Sequence, residues 1–200
     1  MTRQLLSVAI TLPPGLDTDT AVRVAKMAGR LGFTAIHLPS ALDATELDRL
    51  VEAADPALVV IDLPEESAGI VRVNDPAAVA RARAEMDASD ADRPLLVAVP
   101  ISVGRTTSEA VARADLEPRF AGDRHPRDVG VFGTFEQAQD QVLALARAGA
   151  DGLLLDVPFA SDVADVLAQI RALVVGATPE LLDRPDTESV PAPRTVFYGD

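Results

Sequence analysis

The sequence contains no cysteine and no tryptophan, a single lysine (Lys26), a single tyrosine and only two histidines, His37 and His125. Without cysteine there is no disulfide scaffold, no thiolate zinc site and no cysteine nucleophile. Two imidazoles are too few for a histidine-based metal cluster. Aromatic residues make up 4% of the 200 positions against 48% hydrophobic residues, so the core must be aliphatic and alanine-rich. No apolar run approaches the roughly 20 residues of a membrane span. The opening MTRQLLSVAITLPPG is cut short at Pro13-Pro14 and lacks a small-residue cleavage site. Positive charge is scarce as well. With 18 basic and 31 acidic residues the chain carries −13, which repels phosphate backbones and anionic membranes. These absences imply a cytosolic protein that binds neither nucleic acid nor membrane. One domain over residues 1–175 is expected, with an extended, Pro- and Asp-rich tail at 176–200.

What is present is organised around Gly130–Pro158. Thr134 caps a helix and Gln137, three residues on, completes a reciprocal capping box. Phe135, Ala138, Val142, Leu145 and Gly149 recur at helical spacing. Gly152–Val157 then reads as a buried parallel strand with Leu154 mid-run, and Asp156 stands at its exit before Pro158. Earlier in the chain the same alternation recurs. Leu5–Leu12 reads as a strand, a helix runs from Asp17 or Thr18 to Leu31, and Phe33–Leu38 follows as a strand. Ala44–Ala54 is a helix and Leu58–Leu63 a strand. His37-Leu38-Pro39, Asp62-Leu63-Pro64 and Asp156-Val157-Pro158 each close an aliphatic strand with a polar residue, an aliphatic and a proline. Glu65–Asn74 is irregular or a weak strand, and Asp75-Pro76 opens another helix. Leu95–Val103 is a strand bent at Pro100, Thr107 begins a helix, Glu117–Asp128 is a polar loop, and Ser161 caps a last helix. Helix–strand alternation of this kind predicts an α/β fold with mostly parallel strands. Both a doubly wound sheet and a reduced (β/α) barrel fit it.

Four motifs carry a family resemblance. Leu31-Gly32-Phe33 leading to His37-Leu38-Pro39, Val97–Glu109, Gly133-Thr134-Phe135-Glu136-Gln137 and Ala148-Gly149-Ala150-Asp151-Gly152 are similar, in this order, to motifs of the bacterial-luciferase-like, flavin-dependent monooxygenases. Phe135 replaces a proline of that pattern, and Ala44–Asp75 stands where the family has a longer middle. The resemblance implies a barrel derived from the (β/α)8 type and an FMN or deazaflavin coenzyme. It also implies oxidoreductase or monooxygenase chemistry on a small organic molecule. A shortened member that binds or pairs without catalysing is the alternative, as a homodimer or as a heterodimer with a full-length relative.

In parallel βα folds, function gathers at the carboxyl ends of strands. That places His37, Asp62 and Asp156 as candidate catalytic groups for proton transfer. The other reading of the two acids is that they cap the loops that follow them by accepting from backbone N–H groups, and the other reading of His37 is a hydrogen-bonded core histidine. Ser102, Gly104, Arg105, Thr106 and Thr107 combine a strand exit, a glycine, a guanidinium and a helix start with hydroxyls, which suits a cofactor phosphate. A capped helix beside an exposed arginine accounts for the same residues. His125, between Arg124 and Arg127, reads as a solvated loop histidine. A metal held by Asp62 and Asp156 in an unrelated barrel lyase or isomerase is a further option. Phosphate-loop, dinucleotide-fingerprint, serine-elbow and zinc-helix motifs are absent.

Overall fold

The computed structural model describes residues 6–38, 42–61, 63, 68–89, 92–160 and 162–177. Asp62, Pro39, Pro64, Ser161 and the tail from residue 178 lie outside the described residues. Among the described residues there are seven strands: β1 (Ser7–Thr11), β2 (Ala35–Leu38), β3 (Leu58–Ile61), β4 (Gly69–Val71), β5 (Leu95–Gly104), β6 (Val131–Thr134) and β7 (Gly152–Asp156). Between them run α1 (Thr18–Leu31), α2 (Ala44–Ala54), α3 (Pro76–Ala88), α4 (Thr107–Asp115), α5 (Pro126–Val129), α6 (Phe135–Arg147) and, last, α7 (Val163–Ala177). The order across the sheet is β3-β2-β1-β7-β5-β4, with β6 against the far half of β5. Every pair is parallel. β1, β2 and β3 lie side by side, as do β4, β5 and β6, and β7 joins the two sets by pairing with both β1 and β5, so the architecture is the reduced, barrel-like α/β fold expected. Among the described residues β3, β4 and β6 each pair with a single neighbour.

Local chemistry explains the boundaries. Asp17 accepts from the Thr20 N–H at the start of α1, and Gly32 ends it in the left-handed region (φ 76°), where glycine has no steric penalty. Both halves of the Thr134–Gln137 capping box are formed. Asp162 accepts from the Ala164 and Asp165 N–H groups at the head of α7. Pro100 does not end β5. Residues before it pair with β4 and β7, and residues after it pair with β6, so the strand changes partners at the proline. Asn74 joins the two partners on that flank: its N–H donates to the Val129 carbonyl and its amide to the Gly130 carbonyl.

The two faces of the sheet differ. Val8, Ile10, Ile36, Val59, Val97, Val99, Leu153 and Leu155 join α1, α2, α6 and α7 in one continuous apolar core. The alternate residues point the other way. Ala98 and Leu154 are buried yet stand outside that core, Ala9, Ala35 and Val60 are half-buried, and Leu58 is 39% exposed. In a closed barrel those positions would fill the interior. Here they form a thinly covered inner face. Phe135, placed by its spacing on the buried side of α6, is also 37% exposed at the helix start.

Candidate functional site

Strand register assembles the site. Thr11 pairs with His37 across β1 and β2, and with Asp156 across β1 and β7. Asp156 in turn pairs with Pro100 on β5. Residues in register on parallel strands project from the same face, so an imidazole, a hydroxyl and a carboxylate share one row at the carboxyl ends. With strands about 4.8 Å apart, the row from His37 to Asp156 spans about 10 Å. Two residues earlier along each strand, Ala35, Ala9, Leu154 and Ala98 make a second row in register. It is a low floor of small and aliphatic side chains beneath the polar row.

His37 is half-buried, with its Nδ1 withdrawn from solvent. Asp156 does not stand alone. Arg124 reaches it from the turn Gly122–Arg124 with an Nη2–Oδ2 distance of 2.6 Å, and the Asp156 side chain is 18% exposed. The segment that carries Arg124 is anchored to the exit of β7 by a buried carboxylate. Glu117, 5% exposed, accepts from Arg119 Nε at 2.8 Å and from the Phe159 N–H at 2.7 Å. Arg119 also donates to the Val157 carbonyl at 2.6 Å and stacks between the rings of Phe120 and Phe159. Burial pushes the Glu117 carboxyl up, but the hydrogen bonds from Arg119 and Phe159 and the charge of Arg119 outweigh it. The group is held below its ordinary value.

The five residues read as a phosphate site lie elsewhere. Gly104 is four residues past Pro100, roughly 13 Å further along β5. The buried Ser102 hydroxyl donates to the Ala110 carbonyl at 2.8 Å. A Cβ on Gly104 would sit 2.7 Å from the Ala110 nitrogen, so glycine is needed there for the close approach of α4. Thr106 accepts from the Glu109 N–H, and the Glu109 carboxylate accepts from the Arg105 N–H at 2.9 Å. The chain thus supplies its own carboxylate at this helix start. Arg105 and Thr107 are exposed.

Sequence reasoning brought His37 and Asp156 to one rim, and the register agrees. It did not find Thr11, Arg124, Glu117 or Arg119. Thr11-Leu12-Pro13 repeats the polar–aliphatic–proline pattern of the other strand exits, and that was the available signal. His125 is a correction. It is not solvated: its Nδ1 accepts from the Arg127 N–H at 3.0 Å and its Nε2 lies 3.3 Å from Asp115, with the side chain 17% exposed. The intervening loop folds into α5, and the imidazole caps it. Among the described residues no three histidine, aspartate or glutamate side chains gather as a metal site. A cavity of about 480 Å³ beside Asp115 and His125, and another of about 460 Å³ between α1 and α2, include none of the row residues. No described helix is long and apolar enough to cross a membrane.

No family model and no curated protein matches this sequence. Solved structures do match its fold. The coenzyme F420-dependent tetrahydromethanopterin reductase from Methanopyrus kandleri superposes with a TM-score of 0.58 at 10% identity, over 86% of this chain and 99% of that one. Apo-MsnO8 superposes with a TM-score of 0.56 at 12% identity, over 87% and 98% of the two chains. At such identities the likeness is one of fold, and it agrees with a barrel-like βα architecture.

Proposed function

We propose that this chain binds a flavin or deazaflavin and acts as a shortened, luciferase-like oxidoreductase or monooxygenase on a small organic molecule. The observation that carries the reading is the registered row His37–Thr11–Asp156 above the floor Ala35–Ala9–Leu154–Ala98. Small side chains in register suit the flat face of a fused ring, and the polar row suits its heteroatom edge. The fold likeness to a reductase whose coenzyme F420 is a deazaflavin supports the same class. When bound, such a group supplies hydride or electron exchange. The chain's own part is to hold the ring against the floor, to offer the His37 imidazole for proton exchange, and to fix Asp156 through Arg124.

A cofactor phosphate would reach Arg105, Thr106 and Thr107 by displacing the Glu109 carboxylate. Arg105→Ala is then expected to weaken FMN or deazaflavin binding by about 1.5–3 kcal/mol, with thermal stability unchanged because Arg105 is exposed. Fluorescence titration of both proteins checks this, and equal affinities would remove Arg105 from the site. The primary test of the functional reading is the absorbance and fluorescence response of the purified protein to FMN and to a deazaflavin; no response sinks it.

A binding or partner subunit, as a homodimer or beside a full-length relative, is the second reading. It is favoured by β3 and β4 being bonded on one side only among the described residues. Analytical ultracentrifugation separates the two readings where no flavin binds.

A further inference from the structure

His125 uses both of its ring nitrogens. Nδ1 accepts from the Arg127 N–H at 3.0 Å, and Nε2 lies 3.3 Å from Asp115 Oδ1. A neutral imidazole carries one proton, so the accepting role of Nδ1 puts that proton on Nε2, where it is donated to the Asp115 carboxylate. The backbone of α5 thus fixes the tautomer. The two ends of α5 are held differently. At the far end Asn74 donates from its N–H to the Val129 carbonyl and from its amide to the Gly130 carbonyl. A Cβ on Gly130 would stand 2.1 Å from the Pro100 carbonyl oxygen, so that end is pinned against β5. At the near end the imidazole is the cap. The His125 N–H closes the preceding turn by donating to the Gly122 carbonyl at 3.2 Å, and that turn carries Arg124 to Asp156.

A proton added to this imidazole must go to Nδ1, the nitrogen without one. The acceptor then becomes a donor facing the Arg127 N–H, and the cap bond is lost. That N–H belongs to the helix start, where no intrahelical acceptor can replace the ring. Asp115 on α4 faces Nε2, across the ring from the cap, so its contact survives in either state but does not substitute for the one lost. Arg127 and Asp128 on α5 line the same cavity as the imidazole, as does Glu117, which is engaged with Arg119. Arg124 is adjacent in the chain and directed to Asp156. Phe132 on β6, tilted against the imidazole at 6.1 Å, is neutral. Histidine is the side chain whose charge ordinarily changes between about pH 5 and 8.

We propose that His125 is a proton-operated cap: a proton on Nδ1 opens the first turn of α5 and withdraws Arg124 from Asp156, so acid loosens the strand-exit row from outside it. The opening falls on the near end because the far end stays bonded to Asn74. The cap and its release stand independently of the proposed function; only the consequence that flavin affinity falls in acid rests on that reading.

The test compares wild type with Arg124→Ala and with His125→Asn, whose amide oxygen caps a helix without titrating. All three are studied by NMR at roughly pH 7.5 and 5.5, which spans most of the histidine range. At the higher pH the wild-type imidazole should show the Nε2–H tautomer. At the lower pH the Arg127 amide of wild type should exchange about tenfold faster than the same amide of His125→Asn, the worth of one hydrogen bond. There the Asp156 side-chain carboxyl signal of wild type should move onto its position in Arg124→Ala, while in His125→Asn it stays apart. An Nδ1–H tautomer at the higher pH, or equal Arg127 exchange in wild type and His125→Asn at the lower, overturns the cap. Faster Arg127 exchange with an unmoved Asp156 signal overturns the coupling to the row. FMN titration of the same proteins should show wild-type affinity falling about threefold in acid, the scale of a part-exposed ion pair, and His125→Asn staying level. Parallel falls in both proteins overturn the regulation of ligand binding. Absence of FMN binding by all three overturns the functional reading alone, since the amide and carboxyl signals decide the cap without it.

Discussion

Glu117→Ala is expected to destabilise the fold by about 3–5 kcal/mol, the cost of removing one partner from a buried ion pair. The loss would fall on Arg119, which keeps the Val157 carbonyl but loses its carboxylate, and on the Phe159 N–H, which loses its acceptor. The same group makes stability depend on acid. Its folded-state pKa is depressed, so its contribution is complete above the ordinary glutamate value of about 4.3 and disappears as pH falls through the lower folded value. Denaturant melts from pH 7 down to 3 should show wild type losing stability over that acid range, and Glu117→Gln losing less. If the two curves run parallel, the carboxylate is not the acid-sensitive anchor. Because the Glu117 segment also delivers Arg124 to Asp156, Glu117→Ala should reduce ligand affinity as well as stability.

The second large effect separates the two faces of β7. Leu155 is fully buried in the continuous core beneath the helices, whereas Leu154 belongs to the inner face. Leu155→Ala is expected to cost about 3–5 kcal/mol, a transfer loss plus a cavity enclosed on all sides. Leu154→Ala should cost about 2 kcal/mol, at the lower end of the same range, because a thinly covered face can relax around the smaller residue. Urea melts with unchanged m-values would check both. A Leu154→Ala cost equal to or above that of Leu155→Ala would mean that the inner face is packed like a barrel interior, and the ring-binding floor would lose its basis.

Much of this architecture could be read from the chain because it is local. The α1 span, the α2 span, the Thr134–Gln137 capping box and the β7 strand each follow from residues within a turn or two of one another. The rim position of His37 and Asp156 was also legible, since a polar residue before a proline at the end of an aliphatic run marks a strand exit. What could not be read was produced by distance. Glu117 looked like one of many loop acids, and only the Phe159 N–H, 42 residues on, reveals why it is buried. His125 looked solvated because its partner Asp115 lies ten residues back on α4. At Gly104–Thr107 the residue types suited a phosphate, but Glu109 within the same stretch satisfies part of that helix start. Thr11 was hidden for a different reason. Threonine is an ordinary strand residue, and only the register shows that it lies between two polar neighbours.

The pairing of β1 with β7 also sets a clock for biosynthesis. Ser7 must wait for Gly152 before its strand acquires its second neighbour. At a translation rate of about 5–20 residues per second, the intervening chain takes roughly 7–30 s to appear. Helix and hairpin formation are complete within microseconds, so β1–β2–β3 with α1 and α2 can settle early while one edge of β1 is still unsatisfied. For those seconds an aliphatic strand, Ser7–Thr11, presents open backbone donors and acceptors to whatever extended segment comes near. The nascent chain is therefore most exposed to mispairing and to chaperone capture just before its last strand leaves the ribosome, and shortening that delay by circular permutation between β6 and β7 should raise the yield of folded protein.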